Sequence, residues 1–182
     1  MRVLVPLAPG FEEIEAVTII DVLRRAGCEV TAASLKTNPV KGSHGIEVTA
    51  DTALAEVSAG DFDAIALPGG MPGSEHLKQD NRVLHIVREL SSSGRLVAAI
   101  CAAPIALGAS GVLAGHRATC YPGFEHEMKG AIAVNEPVVR DGNIVTGRGP
   151  ACAIPFALEL VAALAGDDKA RDLAQTMQAY WM

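Results

Sequence analysis

The run Arg95-Leu96-Val97-Ala98-Ala99-Ile100 passes without a spacer into Cys101-Ala102-Ala103-Pro104, and that junction restricts the fold more than any other feature of the chain. An apolar run of this length reads as a buried strand, and Ala102 to Ala109 continues it as a helix. Joining the two leaves room only for a tight, strained turn, which small neighbours make possible. The arrangement follows the logic of a nucleophile elbow, with alanines where hydrolases use glycines. Cys101 is thereby expected at a sheet edge and at a helix N-terminus, whose positive potential favours thiolate and should depress the thiol pKa. Backbone N–H groups of Ala102 and Gly70 are candidates to bind a developing oxyanion.

The rest of the chain repeats the alternation of strand and helix. Strands are expected over Arg2 to Leu7, Cys28 to Leu35 and Asp63 to Leu67, and helices over Glu12 to Ala26 and Asn81 to Ser92. Pro137 to Arg140 and Asn143 to Thr146 flank Asp141-Gly142, a hairpin signal. Two further helices are expected over Phe156 to Leu164 and Lys169 to Tyr180. This order implies one α/β domain over residues 1–182, with a doubly wound, mostly parallel sheet covered by helices on both faces. Function in such sheets sits beyond the C-terminal strand ends. Three loops there qualify: Pro9 to Glu15, Pro68 to Gly73, and Ile100 to Pro104.

Composition narrows the partners. A formal charge of −6 argues against nucleic acid or an anionic membrane. No apolar run approaches the ~20 residues needed to span a bilayer. The N-terminal residues lack the pattern of a signal peptide. Cys28, Cys101, Cys120 and Cys152 form no C-x-x-C pair, so no metal site is expected and the thiols are read as reduced, in the cytoplasm. For Cys28, Cys120 and Cys152, burial as small apolar side chains is the simpler account.

The first helix carries two stripes. Ala16, Ile19, Ile20, Val22, Leu23 and Ala26 make one apolar arc, and Glu15 falls on its edge. Burial there would raise the carboxyl pKa and keep it protonated. Glu12 and Glu13 are explained equally well as complements to the helix dipole. Ile14 and Val17 project to the opposite, charged side and suggest a partner surface, with a second copy of the chain the commonest partner.

With these residues in place, the sequence resembles the ThiJ/PfpI superfamily, in the branch named for the Parkinsonism-associated protein deglycase. The carriers are Gly10-Phe11-Glu12-Glu13-Ile14-Glu15, Leu67-Pro68-Gly69-Gly70, Ala99-Ile100-Cys101-Ala102 and Thr146-Gly147-Arg148-Gly149-Pro150. The resemblance implies a flavodoxin-like fold and a homodimer through the first helix. It implies that Glu15 is the protonated partner of a Cys101 thiolate, that Gly69, Gly70 and Ala102 form a backbone site, and that Pro150 lies by the pocket. It also implies cofactor-independent chemistry on small reactive carbonyls such as methylglyoxal, a sensor whose cysteine is oxidised to sulfinic acid, or a chaperone. Two departures matter. This branch usually has a histidine before a proline where the chain reads Thr119-Cys120-Tyr121-Pro122; a phenol holds a substrate or donates a hydrogen bond but is a poor base at neutral pH. Ala102 stands where the protease-like branch places histidine, so peptidase or amidase chemistry lacks its usual base. His126 is expected on a polar surface helix.

Overall fold

The computed structural model describes residues 1–179. The strands are β1 (Arg2–Leu7), β2 (Glu29–Ser34), β3 (Val40–Lys41), β4 (Glu47–Val48), β5 (Thr52–Ala53), β6 (Ala64–Leu67), β7 (Leu96–Ile100), β8 (Arg117–Ala118), β9 (Ile132–Ala133), β10 (Val138–Asp141) and β11 (Ile144–Gly147). The α-helices are α1 (Glu13–Arg25), α2 (Gly73–Gln79), α3 (Asn81–Ser92), α4 (Pro104–Ser110), α5 (Ala153–Ala165) and α6 (Asp167–Thr176). Seven strands form one sheet in the order β10-β11-β7-β6-β1-β2-β5, parallel except for β10 on the edge. The family-level expectation of a flavodoxin-like α/β fold is met.

The strand pattern follows from burial on both faces. In β6, β7 and β11 every residue is buried, as is β1 beyond Arg2, so these strands read as unbroken apolar runs rather than as alternating ones. The pleat still sorts the side chains. Val3, Val5, Ala98 and Ile100 enter the core beneath α1, α5 and α6. Leu4, Val97 and Ala99 enter the other core, beneath α2, α3 and α4. In α1, Ala16, Ile19, Val22 and Leu23 are at most 1% exposed, and full burial of each larger side chain contributes about 2 kcal/mol.

Several boundaries moved. The first turn of α5 and the start of α6 lie before the expected residues, and Tyr180 at the expected end of α6 lies outside the described residues. The two-residue hairpin loop is Gly142-Asn143, since Asp141 pairs with Ile144. Helix α2 was not anticipated, because its Met71-Pro72-Gly73 entry reads as loop. Helix α4 starts at Pro104 rather than Ala102, leaving residues 101–103 as a turn.

Strand order places the switch point between β1 and β6. The chain moves outward from β1 to β2 and β5, then returns to β6 and runs the other way through β7 to β11. The crevice above the C-terminal ends of β1 and β6 is where such sheets bind ligands.

Candidate active site

Three loops meet at this crevice and are tied by their backbones. The loop after β1 crosses to the loop after β6 through Glu12 N–H, which donates to Gly69 O at 2.9 Å. Gly70, at φ 89°, lies against Phe11 and Glu12 backbone where a Cβ has no space. At the end of β7, Cys101 has φ 63°, a left-handed conformation that costs a non-glycine residue on the order of 1–3 kcal/mol. The strain is held by the Cys101 N–H donating to Gly147 O at 2.9 Å and by Tyr121 N–H donating to Cys101 O at 2.8 Å. This is the elbow expected from the strand–cysteine–helix junction.

The structure brings Cys101 and Glu15 together. Glu15, in the first turn of α1, is fully buried, and Cys101 is 8% exposed. A Cβ added at Gly69 would stand 2.6 Å from both Cys101 Cβ and Glu15 Oε2, so the two side chains flank one glycine. Glu15 Oε2 accepts from Gly69 N–H at 2.7 Å. Oε1 is buried without a hydrogen-bond partner in the protein, and the Cys101 thiol is the side chain that interacts with this carboxyl group.

The two groups titrate as a pair. Burial pushes the Glu15 carboxyl up to about 7, against the Gly69 amide and the thiol, which pull it down. Burial, then the neighbouring Glu15 carboxylate, push the Cys101 thiol up to about 12, while the amides of Gly70 and Ala102 pull it down. The first proton therefore leaves the pair near neutrality, and the carboxylate–thiol and acid–thiolate forms are tautomers of that singly ionised pair. The expectation of a simply depressed thiol pKa is corrected by this arrangement. Helix α4 begins three residues beyond the sulfur, and desolvation beside a carboxylate outweighs the local amide dipoles.

The other expected residues separate into groups. The amides of Gly70 and Ala102 are the backbone groups that pull the Cys101 pKa down. Gly69 belongs to the backbone site differently from the expected way, because its N–H is spent on Glu15. Tyr121 is 47% exposed, with its ring 3.4 Å from the position of a Cβ at Gly149. Its chain is anchored by Thr119 N–H, which donates to the fully buried Thr146 Oγ1 at 2.9 Å. Pro150 opens a short turn and lines a cavity with Tyr121. Ile14 and Val17 are exposed, at 58% and 49%. The His126 side chain is exposed on a 3-10 turn. All four cysteines are free; burial pushes the Cys28 thiol up and the Cys120 thiol up to about 12.

Sequence reasoning missed what Glu13 does. Its buried carboxylate accepts from His44 N–H at 2.7 Å and from Ile46 N–H at 3.3 Å, and lies 3.0 Å from the His44 ring. Burial opposes ionisation, but the His44 ring and these amides hold the carboxyl down at about 2. Nothing local in the sequence marks a contact between residues 31 positions apart. Among the described residues, Glu12, Glu13 and His44 are the one group of three acidic or histidine side chains close enough to share an ion, and Glu13 is already saturated by the loop.

A doubly wound sheet that holds a buried thiol on a left-handed elbow, braced by a buried carboxyl group, defines the class of elbow-cysteine α/β proteins. Comparison with known sequences is consistent with that class and narrows it. The chain belongs to the DJ-1/PfpI family, whose sequence model matches residues 1–163. It is 45% identical over 179 residues to protein DJ-1 homolog A of Arabidopsis thaliana, covering 96% of this chain and 46% of that protein, so it spans less than half of that relative's length. It is 40% identical over 152 residues to a protein named a deglycase in Pyrococcus abyssi, covering 82% of this chain and 91% of the relative. The structure of oxidised DJ-1 from Toxoplasma gondii superposes with a TM-score of 0.93 at 39% identity, covering 98% of both chains. No helix among the described residues is long and apolar enough to cross a membrane.

Proposed function

We propose that this protein is a cysteine-dependent, cofactor-independent enzyme of the glyoxalase or deglycase type, acting on small reactive carbonyls such as methylglyoxal. The observation that carries the reading is the elbow thiol and the buried, partnerless Oε1 of Glu15 on either side of Gly69. In the acid–thiolate tautomer, sulfur attacks the aldehyde carbon and the Glu15 proton passes to the carbonyl oxygen, giving a hemithioacetal. Gly70 and Ala102 amides stabilise charge at the sulfur and at the developing oxygen. Glu15, now ionised, moves the aldehyde-carbon proton toward the neighbouring carbon, so that one carbon is oxidised to a thioester as the other is reduced. Water then releases the 2-hydroxy acid and regenerates the thiol, with no external oxidant. The relative named a deglycase supports this class of chemistry. Methylglyoxal consumption followed with purified wild type and Cys101→Ser tests it: a loss of at least a hundredfold is expected, and equal rates would overturn it.

A second reading is supported by the same geometry. A sulfinate at Cys101 would accept from the Gly70 and Ala102 amides and from a protonated Glu15, and a relative is known in an oxidised form. Mild peroxide followed by intact-mass analysis should then add two oxygens at Cys101 alone. The proposal includes a homodimer formed through Ile14 and Val17, and a reducing, cytoplasm-like compartment that keeps the four thiols free.

A further inference from the structure

The loop after β11 carries a cation that the chemistry above does not use. Gly147 lies opposite Ile100 in the sheet, so Arg148 leaves β11 level with Cys101. Its backbone is fixed by an N–H donating to Pro137 O at 2.9 Å. The chain has ten arginines. The other nine each bring the guanidinium to a carboxylate or a backbone carbonyl. Among the described residues, the Arg148 guanidinium has neither.

Arg148 instead lines a cavity of about 280 Å³ with Tyr121, Pro122, Pro150, Ala151 and Cys152. One wall of this cavity is attached to the nucleophile, since the Tyr121 amide donates to Cys101 O. The nearby carboxylate of Glu125 accepts from Gly123 N–H at 2.8 Å and feels the Arg148 charge, but the two form no ion pair. The positive field of Arg148 still reaches inward, opposing the upward push on the Cys120 thiol. Arg148 thus borders a mostly apolar cavity with no partner for its guanidinium among the described residues, and a planar oxyanion is matched to its forked N–H pairs. A net charge of −6 gives anions no general attraction to the molecule, so at this cavity the local cation Arg148 is what would orient an anionic compound.

We infer that this cavity receives the carboxylate or phosphate carried by an α-dicarbonyl compound that reacts at Cys101, with Arg148 as its counter-ion. The inference rests on the proposed carbonyl chemistry and names its substrate class. Phenylglyoxal and 4-carboxyphenylglyoxal share one dicarbonyl and differ by a distal carboxylate. Wild type should show kcat/KM at least tenfold higher for the carboxylated compound, and Arg148→Gln should bring that ratio close to one. Arg148→Lys should retain part of it, and Arg171→Gln, which removes a distant cation on α6, all of it. A ratio that is the same in wild type and Arg148→Gln overturns the inference.

A second arm is independent of turnover. Benzoate and inorganic phosphate, titrated calorimetrically into Cys101→Ser, should each bind about tenfold more weakly when Arg148→Gln is added, and the tighter of the two identifies the preferred anion. Failure of all turnover with this weakening intact would remove the carbonyl reading and leave the anion site. Anion binding indifferent to Arg148 would remove the site and leave the carbonyl reading.

Discussion

A methyl group at position 69 has no space, because it would meet Cys101 Cβ, Glu15 Oε2 and the Ile100 carbonyl within 2.9 Å. Two of these are the reacting side chains, so relief of the clash must come from the site itself. Gly69→Ala should lower stability by about 2 kcal/mol, measured by urea unfolding, and should also reduce thiol reactivity. Glu15 makes a second prediction at this scale. Its folded pKa of about 7 lies above its ordinary value of 4.5, so its contribution to stability is fully present below pH 4.5 and is lost as pH rises through 7. The swing is on the order of 3 kcal/mol. Wild type should therefore lose stability relative to Glu15→Gln between pH 4.5 and 7, as seen in urea midpoints across that range. A flat difference would mean that Glu15 is ionised throughout.

At the scale of elements, the first turn of α1 joins the active site to the β3–β4 hairpin. Glu15 faces Cys101, while Glu13 holds the hairpin loop through His44 and Ile46. The sign for Glu13 is the reverse of that for Glu15. Its pKa is depressed to about 2, so its contribution is present above pH 4.5 and is lost as pH falls toward 2. Glu13→Gln should accelerate amide exchange at His44 and Ile46 at least tenfold and should reduce acid sensitivity between pH 4.5 and 2. The sequence pattern placed α1, β7 and the elbow correctly because each is specified by its own periodicity and neighbours. It was silent on α2, whose short span and Pro-Gly entry carry no helical signal, and on the Glu13 loop, which depends on a contact made only by folding.

For the whole molecule, the two cores explain why the fold was readable. Strands covered on both faces must be continuously apolar, and the helices between them must each keep one apolar face, so the order of patterns implies the layers. What lies outside the layers is less constrained. Ile14 and Val17 are exposed on the far side of α1 while Ala16, Ile19 and Leu23 are fully buried. If a second copy covers that stripe, as proposed, Val17→Glu should convert a dimer to a monomer in sedimentation velocity while leaving the far-UV spectrum unchanged. A monomer in wild type at micromolar concentration would remove the proposal.

Local chemistry written along the chain determined the alternation of strands and helices, the tight turn at the cysteine and the acidic first turn of α1, because each depends on residues within a few positions. The tertiary structure alone decided how the sulfur is tuned. Its proton affinity is set by burial and by a carboxyl group 86 positions earlier in the chain, brought beside it across Gly69. Desolvation and Coulomb energy depend on distances that no periodicity encodes, so a dipole argument made from the elbow alone left out the burial and the carboxyl group that push the thiol up.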